Sequence, residues 1–483
     1  MIRVFLLILY PLIQLFMDLQ DIQSLYKRHS SMGAYSKALD KASIQTIFLD
    51  GICASAGAII SSVIYKKSSL PFLFILGDLE EAGYFYHDLI QILGDSNVLF
   101  FPSSYRRAIK YGQKDAANEI LRTEVLSRLQ KDEDHLYIVT YPEALAEKVV
   151  SKETLNEKTL SLKINENLGM KVVQNTLKDF GFTYVDYVYE PGQYAVRGSI
   201  IDVFSYASEY PYRIDYFGDE IESIRSFEVE SQLSKSKLDQ ISIVPELNGS
   251  ETGNEVSFLH FIPEDTVIMM MDMQYIGERI SLIHNEALSS QAQKIMEEEG
   301  DDVLISKASL IEGEDFIKGV NLFRRVEFGH VPLEVPQATV KFDFTAQPIY
   351  HKNFELVSES FKNYLEDGYK LYICSDSAKQ IDRLRSIFDD RGDHFPFEAV
   401  SKTIHEGFSD NLLKVCFFTD HQIFDRFHKY NLRSDKARTG KVALSIKELS
   451  EFQIGDYVVH TDHGVGRLPG WREFLKEILH KKW

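Results

Sequence analysis

Residues 189–232 read YEPGQYAVRGSIIDVFSYASEYPYRIDYFGDEIESIRSFEVESQ, and this stretch says most about the fold. It is rich in Tyr, Ile, Val and Phe, and it is interrupted by Pro191-Gly192, Pro211 and Gly218-Asp219. Runs of such residues between turn dipeptides are typical of paired strands joined by short turns. We therefore predict a strand-rich domain here.

Within the stretch, residues 212–217 alternate between two kinds of side chain, as a strand with a period of two requires. One face would carry Tyr212, Ile214 and Tyr216, and the other Arg213, Asp215 and Phe217. We predict that the first set lies in a core and that the second faces outward. Arg beside an outward aromatic residue is typical of protein-binding hot spots. The alternative is that Phe217 is half-buried under a neighbouring loop.

Composition favours a multi-domain protein that binds other proteins. A length of 483 residues suggests about three domains. The formal net charge of −19 disfavours a chain built mainly to hold DNA, which requires a basic surface. Cys53, Cys374 and Cys416 show no C-x-x-C spacing, so neither a disulfide framework nor a zinc site is indicated.

The first sixteen residues, MIRVFLLILYPLIQLF, resemble a signal peptide only superficially. No cleavage site of the A-x-A kind follows, and the apolar run is short of the roughly 20 residues that span a membrane. We expect that the true start is Met17. The alternative is a genuine interfacial or signal segment, which would make the chain a membrane-tethered interaction protein.

Apolar strands alternate with helical stretches on both sides of the strand-rich domain, which predicts parallel α/β units. The predicted strands are 46–49, 72–76, 98–101, 136–140, 267–272, 370–374 and 413–418, and the predicted helices are 80–93, 115–129, 170–180 and a helix ending at 388. Asp376 is the predicted N-cap of the last helix.

The turn after the first strand, Asp50 to Ala58, has the outline of a phosphate-binding loop. Gly51 and Gly57 are suitably placed, but Ala58 stands where the motif G-x-x-x-x-G-K-[ST] has its lysine. We predict a degenerate turn that only packs a helix onto a sheet, with no cofactor. A metal site at His460, Asp462 and His463 lacks a fourth ligand and is not predicted. The sequence contains no motif for acid–base or nucleophilic catalysis.

Four stretches together resemble bacterial transcription-repair coupling factors, nearest to their Bacteroidetes type. They are residues 192–232, which resemble the domain shared with the excision-repair protein UvrB, FILGDLEEAGYFYHDL (74–89), FFPSSYRRAIKYGQKDAANEILRTEVLSRL (100–129) and GDYVVHTDHGVGRL (455–468). The resemblance covers nearly the whole chain.

This resemblance implies an α/β fold with a UvrB-like N-terminal region. The strand-rich α+β domain would be inserted into a parallel α/β domain that lacks a working P-loop. A second small α/β domain and the start of a small CarD-like or Tudor-like β-barrel would follow. The expected segments are 1–16 (non-native start), 17–157 and 248–350 (the two parts of the first α/β domain), 158–247 (UvrA-binding domain), 351–447 (second α/β domain) and 448–483 (incomplete polymerase-interacting domain with an aberrant tail).

The resemblance also implies the partners. In this family the UvrB-like domain recruits the UvrA damage-recognition ATPase, and the positions used match Arg197, Arg213 and Phe217. Full-length members are cytoplasmic, contact the RNA polymerase β subunit, and move along DNA with ATP and Mg²⁺. We expect this chain to lack that motor, because the tail PGWREFLKEILHKKW (469–483) leaves the family pattern. The expected function is therefore UvrA recruitment without catalysis. A UvrB-like nucleotide-binding enzyme is the alternative.

Overall fold

The computed structural model describes residues 17–105, 115–131, 133, 135–229, 231–247, 255–289, 309–329, 332, 334–430 and 432, together with the backbone of 457–460 and 464–467. The described residues up to 432 form one compact unit, and the described residues 457–460 and 464–467 belong to another.

The chain begins with alternating strands and helices. The strands are β1 Thr46–Asp50, β2 Phe72–Ile75, β3 Val98–Phe100, β4 Tyr137–Thr140 and β5 Val149–Val150. The helices are α1 Leu19–Tyr26, α2 Ser30–Asp40, α3 Ala56–Tyr65, α4 Leu79–Leu93, α5 Ala116–Gln130, α6 Pro142–Ala146 and α7 Lys152–Glu157. Strands β2 and β4 are buried along their whole length, as is usual for parallel strands covered by helices.

A strand-rich segment follows and forms its own sheet. It comprises β6 Leu160–Lys163, α8 Met170–Asp179, β7 Thr183–Tyr184, β8 Gln193–Arg197, β9 Ile200–Val203, β10 Tyr212–Phe217, β11 Glu220–Phe227, β12 Ser234–Leu238 and β13 Gln240–Ile243. Six strands pair in the order β12-β11-β10-β9-β8-β7, while β13 pairs with β6. Helix α8 packs its buried Val173 and Leu177 into the core beneath this sheet.

The chain then returns to the first sheet and completes it. This part contains β14 Glu255–Val256, α9 Phe258–Phe261, β15 Val267–Met270, α10 Met273–Ala287, α11 Gly313–Val320, β16 Arg324–Phe328 and β17 Ala338–Lys341. The seven strands run parallel in the order β17-β1-β16-β15-β2-β4-β3. The strand-rich segment therefore interrupts a single parallel sheet, which agrees with the UvrB-like α/β class.

A smaller mixed sheet packs against the same core. Its elements are β18 Phe344–Ala346, α12 Phe354–Glu366, β19 Lys370–Cys374, α13 Ala378–Arg391, β20 Glu398–Val400, β21 Phe408–Asp410, β22 Val415–Thr419 and α14 Asp420–Phe424. Strand β18 precedes residue 351, so this sheet contains residues from both sides of the expected boundary between 350 and 351. The domain limits themselves stay predictions.

The predicted N-cap of α13 is wrong. Ser377 occupies that position, with the extended backbone that precedes a helix. The side chain of Asp376 instead accepts a hydrogen bond from the backbone N–H of Thr403, at 3.3 Å. The carboxylate of Asp376 therefore binds a residue distant in sequence and does not cap the helix.

The second compact unit contains one described hairpin. Strand β23 Tyr457–His460 pairs antiparallel with β24 Gly464–Arg467. This hairpin agrees with the start of a small β-barrel that the resemblance implies for this part of the chain.

Candidate partner-binding site

The hairpin of β10 and β11 positions the predicted site by presenting two different faces. Ile214 and Tyr216 are buried, and Tyr212 packs against the same core, so this face lies on α8. Arg213, Asp215 and Phe217 point the other way. The predicted division of β10 into core and outward faces is confirmed, and we call the second of these the outward face.

A buried carboxylate links the two predicted arginines. Asp202 on β9 is directly opposite Arg213 on β10, and only 1% of its surface is exposed. The Nε of Arg213 donates to Asp202 Oδ1 at 2.7 Å, and its second nitrogen donates to Oδ2 at 2.9 Å. Arg197, at the end of β8, pairs with the same Oδ2. Asp202 thus holds two guanidinium groups side by side, in the bidentate geometry that carboxylates favour.

Aromatic rings and a loop hold the two guanidinium groups in place. The guanidinium carbon of Arg213 lies 4.3 Å from the ring centre of Phe227, and Gln232 accepts two further hydrogen bonds of 3.3 Å. The hydrogen bond with Asp202 raises the pKa of Arg213, so this side chain stays charged. Arg197 is more open and stacks over Tyr187, 5.0 Å from the ring centre. Both cations are pre-oriented, which reduces the entropy lost when a partner binds.

Phe217 ends β10 just before the Gly218–Asp219 turn and is 79% exposed. The alternative in which a loop half-buries this ring is therefore wrong. Phe217 is four positions after Arg213, which corresponds to about 13 Å along a strand. The arginines meet at Asp202, whereas Phe217 stands apart at the tip of the hairpin. A span of this size fits within one side of an ordinary protein interface.

Sequence reasoning missed the members of the site that act on the arginines. Asp202 lies between the core residues Ile201 and Val203, so the period of two placed it outward. Nothing local indicated that it would face Arg213 across the sheet. Arg225 was also missed; it pairs with Asp215, which additionally accepts from Ser223 Oγ at 2.9 Å.

The degenerate phosphate-loop turn is packed closely against the rest of the sheet. Gly51 has a φ of +80°, and a Cβ there would collide with the carbonyl oxygen of Phe342. Ala58 lies in the first turn of α3 and is fully buried in the core. Ser55 Oγ at the start of α3 accepts a hydrogen bond of 2.9 Å from the backbone N–H of Glu406.

A cavity of about 420 Å³ opens beside this turn and is lined by acidic side chains. They are Asp78, Glu80, Glu81, Asp88 and Glu406. Burial raises the pKa of Asp88 to about 7, and burial followed by the charge of Glu81 raises the pKa of Glu406. Phosphate groups carry negative charge, so this lining opposes the binding of a nucleotide.

The question of a metal at residues 460–463 falls largely outside the described residues, since Asp462 and His463 are not described. Among the side chains that the structure describes, no group of His, Cys, Asp or Glu could hold a metal ion. No helix in the same part of the chain is long and apolar enough to cross a membrane. The segment Met1 to Phe16 also lies outside the described residues.

Comparison with known proteins shows which domains and proteins the chain is similar to. The model of the UvrB interaction domain matches residues 160–248, which contain all three predicted site residues. The model of the CarD-like/TRCF RID domain matches residues 452–480. The transcription-repair-coupling factor of Bacillus subtilis is 21% identical across 96% of this chain, and that of Staphylococcus haemolyticus is 21% identical across 91%.

The chain is thus similar to transcription-repair-coupling factors along most of its length. It covers 45% of the Bacillus relative and 43% of the Staphylococcus relative, so it spans less than half the length of these proteins. The order of the two matched domains, with the UvrB interaction domain before the CarD-like domain, agrees with the resemblance found in the sequence.

Proposed function

We propose that this chain recruits UvrA in the cytoplasm, through Arg197, Arg213 and Phe217 on the outward face, in the service of transcription-coupled excision repair. The observation that carries the proposal is Phe217, a large aromatic side chain that is 79% exposed on the same sheet face as the two pre-oriented arginines. A folded domain gains nothing in its own core from such a ring. An exposed aromatic anchor beside arginine is the usual composition of an interface hot spot.

The match to the UvrB interaction domain supports a protein-binding role for this segment, because the domain's name refers to an interaction and the matched residues include all three. Arg197, the more open of the two arginines, suits a carboxylate on the partner, while Phe217 supplies apolar area that loses water on binding. We also propose RNA polymerase as a second partner, through the region that matches the CarD-like/TRCF RID domain.

Titration of UvrA from the same organism against the full chain tests the recruitment. We expect submicromolar binding, and we expect Phe217→Ala to weaken it at least tenfold, which is about 1.4 kcal/mol or more. The Arg213→Ala/Phe217→Ala variant should lose more. Because Phe217 is exposed, its single substitution should leave the melting temperature unchanged.

The matched control is Lys171→Ala/Val172→Ala, which removes one cation and one exposed apolar side chain from α8. Helix α8 packs against the core face of the sheet, whereas Phe217 is exposed at the end of β10. Binding equal to that of the unaltered chain is expected for this control. A folded chain that does not bind UvrA would refute the proposal.

A further inference from the structure

A row of cations crosses the outward face. Arg213 on β10 is directly opposite Arg225 on β11, and Arg225 is directly opposite Lys237 on β12. Residues paired in this way place their Cβ atoms about 4.5–5.5 Å apart on the same face of the sheet. We call Arg213, Arg225 and Lys237 the cation row.

The cation row costs the fold some stability, because like charges directly opposite each other repel. Asp202 offsets the charge of Arg213, and Asp215 offsets that of Arg225. Lys237 is exposed, and no carboxylate among the described residues lies within 4.0 Å of its ammonium group. The row therefore ends in a cation that the described fold does not neutralise.

We propose that Arg225 and Lys237 extend the partner-binding surface across the sheet, and that the partner there presents an acidic protein segment. This inference rests on the proposed function, since it concerns the same face and the same recruitment. The partner's carboxylates would neutralise Lys237 and relieve the repulsion along the row. Binding of the partner would therefore be stabilised by removal of the repulsion that is present in the free domain.

The composition of the face favours an acidic protein over a nucleic acid. Asp202 and Asp215 lie among the cations, and Glu220 is directly opposite Phe217. A phosphate backbone would meet these carboxylates wherever it crossed the face, and a chain with a net charge of −19 repels it at longer range. A protein surface can instead match mixed charges one by one and also cover Phe217.

Lys237→Glu distinguishes an effect on binding from an effect on folding. It should lower the affinity for UvrA without lowering the stability of the chain. A glutamate opposite Arg225 forms a favourable cross-strand pair, so the melting temperature of the full chain should stay equal or rise. The same glutamate faces an acidic partner, so affinity for UvrA should fall about tenfold, mainly through slower association. Raising the salt concentration should reduce the difference in UvrA affinity between Lys237→Glu and the unaltered chain.

The matched control is Lys178→Glu, which makes the same charge change at an exposed position in the last turn of α8. Its affinity for UvrA should equal that of the unaltered chain. Lys237→Gln adds a second readout, because it removes the charge without reversing it and should produce a smaller loss than Lys237→Glu.

The outcomes distinguish this inference from the proposed function. If the unaltered chain binds UvrA and Lys237→Glu binds equally well, the cation row is refuted and the recruitment stands. If the unaltered, folded chain does not bind UvrA, both are refuted. If Lys237→Glu weakens binding to a DNA duplex while leaving UvrA binding unchanged, the row serves a nucleic acid and the acidic protein segment is refuted.

Discussion

Two regions of the molecule differ in the charge that they present to a ligand. The turn between β1 and α3 lies beside carboxylates, whereas the outward face of the inserted sheet carries arginines. The turn keeps the shape of a phosphate-binding loop, but its cavity is lined by carboxylates, and buried Ala58 replaces the lysine. The outward face lacks any phosphate-binding motif, yet it holds Arg197 and Arg213 in position on a buried carboxylate. The placement of charged side chains, rather than backbone shape or total charge, therefore indicates where an acidic partner can bind.

The largest expected effect tests the basis of the outward face. Asp202→Ala removes the buried carboxylate and leaves two arginines without a counter-charge, one of them mostly buried. Breaking a buried pair from one side is strongly unfavourable, so we expect a loss of about 2–4 kcal/mol in the free energy of unfolding. Urea denaturation measures this loss.

Asp215→Ala is the control for that substitution. Asp215 also pairs with an arginine, but its side chain is more exposed than that of Asp202, so the loss should be about 1 kcal/mol or less. Equal losses at the two positions would show that Asp202 has no special role in positioning the arginines.

A second prediction asks whether the turn can be made to bind phosphate again. Ala58→Lys restores the lysine of the motif, but at a fully buried position in the core. We expect the free energy of unfolding to fall by about 2–3 kcal/mol, because an ammonium group is buried without a designed partner. We expect no ATP binding in an isothermal titration, because the acidic lining remains.

Ala58→Met is the control for size without charge. It should also destabilise the chain through overpacking, but less than lysine does. Micromolar ATP binding by the unaltered chain or by Ala58→Lys would overturn the contrast between the two regions and would favour a nucleotide-binding enzyme.

The smallest expected effect is a pH dependence of stability that arises from His405, which lines the same cavity. This ring stacks on Tyr84 with 3.4 Å between centres and lies near His87, His421 and His428. Burial, followed by the charges of His421 and His87, lowers the pKa of His405 to about 4. The unfolded chain has the ordinary pKa of about 6.5, so it binds the extra proton first. Stability should therefore fall as the pH drops from about 6.5 to about 4.

Asp88, which accepts a hydrogen bond of 2.8 Å from the backbone N–H of His405, acts in the opposite direction. Its pKa is raised to about 7, so its contribution to stability grows as the pH falls below 7. The contribution of Asp88 cancels when the unaltered chain is compared with His405→Gln, because both proteins keep the backbone N–H that donates to Asp88. The variant should lose about 1–2 kcal/mol less than the unaltered chain between pH 7 and about 4.5, after allowance for partial exposure of the ring. Parallel melting curves of the two proteins against pH would contradict this.

Much of the fold was predictable because its signals are local. The four apolar runs that precede the inserted domain became β1 to β4, and the helices predicted from 80, 115 and 170 begin within one residue of those positions. The two faces of β10 followed from the period of a strand. The N-cap of α13 was wrong because a loop distant in sequence binds the carboxylate of Asp376.

The sequence by itself determined the α/β class, the strand-rich insertion and the outward direction of Arg213 and Phe217, since these follow from side-chain periodicity and turn residues within short windows. Only the tertiary structure decided that Asp202 would hold both arginines, that Lys237 would face Arg225, and that Glu406 would reach the turn at Ser55. The physical reason is that strand register and the packing of distant segments depend on contacts across the whole molecule, which no local pattern contains.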